Sequence, residues 1–217
     1  MEKTISPLEF WSQVWEEGSI RFHQPNYNSE MVKYFNDIDL KGKSVLIPLA
    51  GKTKDILFFL EKGAHVTAIE FCEPAVVSFF EENNLPYKKH GHSFFADNLT
   101  FHAMDFFNFI TETPFDVLYD RASQVVFNTT ERPGYYQHIA KLINPQTILL
   151  LFSIDHDGSF EYGPPHKIPK TEIFEAYKKM GITLLTKSES HEVATSEKMQ
   201  AQGILALTAF TLVNANI

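Results

Sequence analysis

The chain has 217 residues, a single cysteine and a formal net charge of −8, and it contains no run of basic residues. Nucleic-acid binding needs clustered lysines and arginines to neutralise phosphates, so this charge argues against nucleic acid, and against an anionic membrane surface, as the partner. One cysteine excludes an intramolecular disulfide and a multi-cysteine metal site. No segment is typical of a secretory signal or long enough to cross a bilayer. We therefore expect a cytoplasmic, monomeric protein that acts on a small molecule.

Two short helices are predicted before the first strand, over residues 7–17 and 29–36. In the first of them, Phe10, Trp11, Val14 and Trp15 recur at helical spacing, which places both tryptophans on one face. We expect one domain over residues 1–217, in which residues 1–40 form a helical lid and residues 41–217 form the core.

Strand-like and helix-like segments then alternate, which predicts a mostly parallel sheet covered by helices. Strands are expected at 44–49, 65–70, 99–103, 115–120 and 147–154, and helices at 54–61, 74–83, 131–143 and 170–180. Two further strands are expected within 181–213, whereas 85–98 and 155–169 are expected to be loops. The predicted fold class is α/β, with a doubly wound, mostly parallel seven-stranded sheet, helices on both faces and an antiparallel C-terminal end.

The turn after the first predicted strand decides which ligand the sheet binds, because a doubly wound sheet binds its nucleotide at the carboxyl ends of its strands. Gly51-Lys52-Thr53 looks like the end of a phosphate-binding loop, but Leu46 stands where that motif needs its first glycine. A dinucleotide-binding turn needs three glycines, and only Gly51 is present here. The sequence therefore disfavours both a nucleoside phosphate and a dinucleotide as the ligand.

S-adenosylmethionine has no phosphate, so one glycine that allows close approach beside its amino-acid part is sufficient. Glu70 stands at the end of the second predicted strand, where an acid can accept hydrogen bonds from ribose hydroxyls. Asp105 follows the third strand and suits the adenine amine. Together, Gly51, Glu70 and Asp105 favour S-adenosylmethionine as the cofactor.

Five stretches, taken in order, resemble the thiopurine S-methyltransferase family over nearly the whole chain. They are FWSQVWEEG at 10–18 with FHQ at 22–24, VLIPLAGK at 45–52, GAHVTAIE at 63–70 with FFEE at 79–82, FDVLYDRA at 115–122, and GPP at 163–165. The chain departs from the family pattern at Ala50, where the family usually has cysteine, and at Gln202, where an aromatic residue often precedes Gly203-Ile204. The resemblance implies the class I methyltransferase fold and transfer of a methyl group to a small thiol or another soft sulfur or selenium nucleophile.

The resemblance also implies a role for individual residues. The cofactor-binding residues it implies are Trp11, Trp15, Leu49, Gly51, Glu70, Ala103, Met104, Asp105 and Arg121. The substrate-binding residues it implies are Phe22, Pro164 and Pro165, to which we add His23 and Lys198 as candidates. We expect the positive charge of Arg121 to favour the anionic form of the acceptor. We nominate Asp120 as the proton acceptor, with His23 as the second nominee.

A purely structural role also fits several of these residues. Trp11 and Trp15 could form a buried stripe, Glu70 could cap a helix, and Asp120 with Arg121 could be an ion pair. His23 could be a packing residue, and we expect no metal site at His90, His92 and His102. Two other functions stay open: methyl transfer to halide, tellurium or selenium species, and cofactor binding without catalysis.

Overall fold

The computed structural model describes residues 7–17 and 23–215. The chain divides into two compact units, Met1–Phe109 and Ile110–Ile217, which are described in turn. No helix in the described part of the chain is long and apolar enough to cross a membrane.

In its described residues, 7–17 and 23–109, the first unit combines four helices with five strands. The helices are α1 (Pro7–Glu16), α2 (Ser29–Phe35), α3 (Asp55–Glu61) and α4 (Glu73–Glu82). The strands are β1 (Ser44–Ile47), β2 (His65–Glu70), β3 (Lys88–His90), β4 (Ser93–Ala96) and β5 (Leu99–Ala103). Their spatial order is β3-β4-β5-β2-β1. β1, β2 and β5 are parallel, whereas β4 is antiparallel to both of its neighbours.

The parallel strands of this unit are largely buried, because their side chains are mostly apolar. Near-continuous hydrophobic runs of this kind are typical of parallel strands that are covered on both faces. The register pairs Glu70 with Ala103, so the carboxyl ends of β2 and β5 lie side by side. Phenylalanines that stand in pairs along the sequence, such as Phe58-Phe59 and Phe79-Phe80, fill the core. Phe79 of α4 packs against Phe101 of β5 with ring centroids 5.6 Å apart, in the edge-to-face arrangement that aromatic rings prefer.

The second unit carries strands β6 (Val117–Arg121), β7 (Ile148–His156), β8 (Leu184–Val193) and β9 (Ala206–Asn214), in the order β6-β7-β9-β8. Its helices are α5 (Arg132–Leu142), α6 (Lys170–Lys179) and α7 (Glu197–Ala201). β6 and β7 are parallel, while β9 pairs antiparallel with both β7 and β8. The predicted antiparallel C-terminal end is therefore confirmed.

The predicted loop at 85–98 is wrong, because these residues contain the antiparallel hairpin β3–β4. His90 pairs with Ser93 across a two-residue turn, in which Gly91 has a φ of +58°. Such short hairpin turns require positive φ, which glycine adopts without steric cost. The described residues thus hold nine strands, and the seven predicted strands are all among them. The short helix α7, between β8 and β9, is a second element that the sequence pattern did not predict.

Candidate cofactor site and active-site residues

Glu70, the last residue of β2, connects the segments that follow three strands of the first unit. Its carboxylate accepts hydrogen bonds from the backbone N–H groups of Gly51 and Cys72, each at 2.8 Å. Its main-chain carbonyl accepts a third, from the N–H of Met104, at 2.9 Å. One residue therefore ties together the turns after β1, β2 and β5, where a ligand of this fold binds.

The Glu70 side chain is only 8% exposed. Burial raises the pKa of its carboxyl, and the hydrogen bonds from the backbone of Cys72 and Gly51 lower it in part. A carboxylate offers about four acceptor sites, more than these backbone groups occupy. Glu70 therefore keeps the capacity to accept a hydrogen bond from a ligand hydroxyl.

The turn after β1 has an unusual backbone. Leu49 and Gly51 have φ angles of +45° and +54°. The Ala50 N–H between them donates to the Ile69 carbonyl at 2.8 Å. A left-handed conformation costs a non-glycine residue about 1–2 kcal/mol, and such conformations cluster at functional sites, where the surrounding structure maintains them. The turn is thus held in a specific shape at the position predicted for the cofactor's amino-acid end.

Helix α1 covers this turn. A Cβ atom added to Gly51 would lie 3.2 Å from Cζ2 and 3.4 Å from Cη2 of the Trp15 indole. On the same helix, the Ser12 hydroxyl lies 3.9 Å from the Cys72 thiol. Trp11 and Trp15 are both half-buried, and Trp11 packs edge-to-face against Phe10 at 5.2 Å. Helix α1 therefore contacts the turns that follow both β1 and β2.

The predicted adenine segment follows β5. Ala103 is buried, and its N–H donates to the His92 carbonyl at 2.7 Å. Met104 and Asp105 are half-buried. One oxygen of Asp105 accepts the N–H of Phe107 at 3.0 Å and so caps the 3₁₀ turn Phe106–Asn108. A carboxylate has two oxygens, so this cap is compatible with a second hydrogen bond to an adenine amine.

These residues fit S-adenosylmethionine better than a phosphate ligand. The Gly51 N–H already donates to the Glu70 carboxylate and the Trp15 indole packs against this glycine, so the turn does not offer this N–H to a phosphate oxygen. Lys52, the residue that a phosphate-binding loop would use, forms an ion pair with Glu82 at 2.6 Å. Of the residues predicted to contact the cofactor, Leu49, Gly51 and Glu70 lie in the first unit, whereas Arg121 belongs to the second.

In the second unit, Asp120 and Arg121 are the last two residues of β6. The Asp120 side chain is fully buried and accepts hydrogen bonds from the Tyr135 hydroxyl and the Ser123 N–H, both at 2.8 Å. Burial raises the pKa of the Asp120 carboxyl, and these two donors lower it in part. Arg121 is half-buried and is followed by Ala122, which has a φ of +63°.

Pro164 and Pro165 lie half-buried in the loop between β7 and α6. The next residue, His166, donates its backbone N–H to the Val125 carbonyl at 2.7 Å. That hydrogen bond fastens the loop to the 3₁₀ turn Ser123–Val126, which follows Arg121 closely along the chain. The two proline residues and the Asp120-Arg121 pair are thus connected within one unit.

The remaining predicted substrate residues are less informative. His23 is half-buried in the first unit. Phe22 lies outside the described residues. Lys198 belongs to α7, but its side chain lies outside the described part of the structure.

Sequence reasoning missed the partners of two predicted site residues. The Tyr135 hydroxyl, on α5, bonds Asp120, and the backbone N–H of Cys72 bonds Glu70, while the Cys72 thiol lies near Ser12 of helix α1. Tyr135 and Ser12 make these contacts with residues far along the chain, so local spacing gave no signal for either.

Comparison with known proteins identifies the family. A family profile described as thiopurine S-methyltransferase matches residues 6–211. A thiopurine S-methyltransferase of Legionella pneumophila (strain Paris) is 31% identical over 187 residues, which cover 83% of this chain and 85% of the relative. One from Vibrio atlanticus is 32% identical over 183 residues, which cover 82% and 84%.

Solved structures share the fold at much lower sequence identity. TehB from Haemophilus influenzae has a TM-score of 0.64 at 13% identity, over 94% of this chain and 66% of that chain. The arsenic(III) S-adenosylmethionine methyltransferase of Chlamydomonas reinhardtii has a TM-score of 0.61 at 11% identity, over 81% and 64%. A complex of DhpI with S-adenosylhomocysteine has a TM-score of 0.59 at 10% identity, over 97% and 96%.

These neighbours confirm the class I methyltransferase fold, and with the family match they identify S-adenosylmethionine as the cofactor. The chain is a member of the thiopurine S-methyltransferase family and an S-adenosylmethionine-dependent methyltransferase.

Proposed function

We propose that this enzyme transfers a methyl group to the sulfur atom of a small thiol, or to a similarly soft selenium nucleophile. The observation that carries this proposal is the 31–32% identity, over more than four fifths of both chains, to relatives named for methyl transfer to the sulfur of thiopurines. The acceptor of this chain is then a small molecule of the same chemical class.

The surroundings of Asp120 support a soft acceptor. Both of its oxygens accept hydrogen bonds within the second unit, and its side chain is fully buried. A general base must reach the proton that it removes, and Asp120 is poorly placed to do so. Thiols and selenols ionise more readily than alcohols, so an enzyme for them has less need of a base. We therefore assign Asp120 a positioning role rather than the role of proton acceptor that the sequence suggested.

The cofactor, when bound, supplies a methyl group on a sulfonium, which is already electrophilic. In this proposal Glu70 accepts hydrogen bonds from the ribose hydroxyls, and the backbone at Leu49 and Gly51 lies beside the amino-acid part. Asp105, with Ala103 and Met104, frames the adenine. The positive charge of Arg121 stabilises the anionic acceptor and so lowers its pKa.

We also propose that helix α1 is a lid, with residues 1–40 as the covering segment of a single domain. Its contacts with Gly51 and Cys72 support this role, because an indole over the turn after β1 excludes water from the cofactor side. Trp15 is then the principal covering residue, with Trp11 beside it. Phe22, His23, Pro164, Pro165 and Lys198 remain the candidates for acceptor contacts.

The cofactor site is tested by calorimetric titration with S-adenosylhomocysteine. The Glu70→Gln variant should bind at least about tenfold more weakly, because hydrogen bonds to a charged group contribute about 1.5–3 kcal/mol. Glu73→Gln is the matched control, because it makes the same chemical change at a glutamate that forms an exposed ion pair with Lys89. Equal affinities for the two variants would remove Glu70 from the site.

The reaction is tested with S-adenosylmethionine and a panel of acceptors: an aromatic thiol, an alkyl thiol, an alkyl selenol, tellurite and iodide. Methylated products are identified by mass spectrometry, with headspace sampling for volatile ones. Methyl sulfides or methyl selenides as the main products support the proposal. Products from iodide or tellurite alone would instead favour the alternative acceptors, and tight binding of S-adenosylhomocysteine without any product would indicate a non-catalytic protein.

The role of Arg121 is tested on the acceptor found. Arg121→Ala should lower turnover by about 100-fold, the size of effect seen when one group that stabilises a developing charge is removed. Arg121→Lys keeps the positive charge and should retain more activity than the alanine variant. Unaltered turnover in Arg121→Ala would exclude it from the mechanism.

A further inference from the structure

The buried tyrosines on helices α5 and α6 of the second unit, Tyr135, Tyr136 and Tyr177, have different hydrogen-bond environments. The Tyr135 hydroxyl donates to Oδ2 of Asp120 at 2.8 Å. The neighbouring Tyr136 hydroxyl donates to the Gln124 side chain at 3.2 Å. The buried Tyr177 hydroxyl has no hydrogen-bond partner among the described residues. Of these three hydroxyls, the one on Tyr135 bonds directly to a residue beside Arg121.

The Asp120 carboxylate closes the turn that follows β6. Its Oδ1 atom accepts the backbone N–H of Ser123, three residues further along. Between them, Ala122 adopts a left-handed conformation, and its N–H donates to the Phe152 carbonyl at 3.0 Å. An L-residue with a side chain stays in this conformation only where its surroundings impose it. The Asp120 carboxylate is one of the groups that impose it.

Arg121 lies inside this turn, between the buried Asp120 and the left-handed Ala122. The backbone from which its side chain leaves β6 is therefore shaped by both neighbours. The Tyr135 ring is itself fixed, because it is fully buried and stacks on Phe127 with centroids 5.0 Å apart and an angle of 26° between the rings. A rigid donor thus holds the carboxylate next to Arg121.

We propose that Tyr135 is a positioning residue: by holding the Asp120 carboxylate, its hydroxyl sets the direction in which the Arg121 side chain leaves β6. A buried carboxylate is costly unless it is hydrogen-bonded, so loss of this donor favours a rearrangement of Asp120 and of the turn that it closes. The lower turnover expected from this rearrangement rests on the role proposed above for Arg121. The change in the direction of the Arg121 side chain does not depend on that role.

The first test needs no methyl acceptor. In ¹⁵N-labelled protein, the Nε–Hε resonance of Arg121 is assigned by its disappearance in Arg121→Lys. Tyr135→Phe should shift or broaden this resonance. Tyr177→Phe is the matched control, because it removes a buried hydroxyl that has no hydrogen-bond partner among the described residues, and it should leave the resonance in place. An Arg121 resonance that is the same in wild type, Tyr135→Phe and Tyr177→Phe overturns the proposal.

If Tyr135→Phe does not fold, 3-fluorotyrosine at position 135 replaces it. The fluorine makes the hydroxyl a stronger donor at almost unchanged volume. The Arg121 resonance should then shift, while 3-fluorotyrosine at position 177 should leave it unchanged. Identical spectra for the two substitutions overturn the proposal.

The second test uses the acceptor found for the wild-type enzyme. Tyr135→Phe should lower kcat about tenfold, as expected when a reacting group is misplaced, and should change the KM for S-adenosylmethionine by less than about twofold. Tyr177→Phe should change neither value. Equal kcat values for the two variants overturn the proposal. A wild-type enzyme that methylates no acceptor contradicts the proposed function instead, and the Arg121 resonance still decides the role of Tyr135.

Discussion

The indole of Trp15 lies against the backbone of Gly51, so close that even a methyl group at position 51 would press on the ring. This contact joins helix α1 to the turn after β1, which also carries the hydrogen bond to Glu70. The shape of the turn after β1 and the placement of helix α1 therefore depend on the same glycine.

Gly51→Ala should weaken both features. The new Cβ would lie 3.2 Å from the Trp15 ring, on a backbone whose φ is +54°. A left-handed conformation of this kind costs a residue with a side chain about 1–2 kcal/mol. We expect lower thermal stability and about tenfold weaker binding of S-adenosylhomocysteine by calorimetry, since a shifted turn also displaces the Glu70 hydrogen bond.

Gly42→Ala is the matched control for this prediction. Gly42 also has a positive φ, +72°, but a Cβ there would meet nothing within 4 Å. The Gly42→Ala variant should lose stability through backbone strain but keep its affinity for S-adenosylhomocysteine. If both variants bind equally well, the Trp15 contact has no part in shaping the site.

The reactivity of the Cys72 thiol tests the lid role that we propose for helix α1. The thiol is 1% exposed, and burial, together with the nearby charge of Glu70, raises its pKa to about 11. Because the thiolate is the reactive form, alkylation by iodoacetamide at pH 8 should be at least about 100-fold slower than for a free thiol. Mass spectrometry follows the reaction directly, since the chain has one cysteine.

Loosening helix α1 should accelerate this alkylation. Trp15→Ala should raise the rate about tenfold if opening of the lid limits access to Cys72. Gln13 lies on the exposed face of the same helix, so Gln13→Ala should leave the rate unchanged. Equal rates for the two variants would show that access to Cys72 does not depend on the Trp15 contact.

The ion pair between Arg132 and Glu172 should stabilise the second unit, because its cation is buried. The Arg132 side chain is fully buried and bonds Glu172, which is 35% exposed, through Nε at 2.6 Å and Nη2 at 3.2 Å. Glu172→Ala leaves a buried guanidinium without its counter-charge. Because solvent reaches Glu172, the loss should be smaller than the roughly 3–5 kcal/mol seen when a fully buried pair is broken. Urea unfolding should show a loss of about 1–2 kcal/mol, and Glu189→Ala, which breaks a pair whose cation, Lys170, is 32% exposed, should cost less. Similar losses in the two variants would contradict a stabilising role for the pair with the buried Arg132.

His102 should make the stability of the first unit depend on pH. Burial lowers the pKa of its imidazole from the usual 6.5, and its Nδ1 lies 2.8 Å from the Ser93 hydroxyl. The unfolded chain therefore takes up a proton at a higher pH than the folded chain does. The contribution of His102 to stability is present above pH 6.5 and is lost as the pH falls through the folded pKa.

The measurement is urea unfolding of wild type and His102→Asn between pH 7.5 and 5. The free energy of unfolding of the wild type should fall relative to that of the variant as the pH decreases. Two profiles that run parallel over this range would contradict the prediction.

Local patterns predicted most of the strands because burial acts on them directly. β2 and β5 begin and end at the predicted residues, since their apolar runs are bounded by turn residues on both sides. The predicted end of β1 at Leu49 was too late. Pro48 cannot donate a hydrogen bond to the sheet and Leu49 has a positive φ, so the strand stops at Ile47.

The missed features depend on tertiary contacts. The sequence around β3 and β4 is polar and rich in histidine, and only the pairing of β4 with β5 makes it part of the sheet. In the same way, Gly51 and Glu70 follow from the spacing of strand ends, whereas the partner of Asp120 is a tyrosine on a separate helix. A sequence pattern records periodicity and turn residues, but not which side chain of one element meets which side chain of another.

The hairpin β3–β4 also forms the outer edge of the sheet in the first unit. β3 has only three residues, all of them exposed, and two of them are lysines. Short, charged outer strands discourage the addition of strands from other molecules, which is a common route to aggregation. Without the hairpin, the unpaired backbone of β5, with its alternately buried Leu99, Phe101 and Ala103, would face solvent. The polar hairpin, which the sequence pattern did not predict, thus covers the edge of an apolar strand to which another molecule could otherwise add a strand.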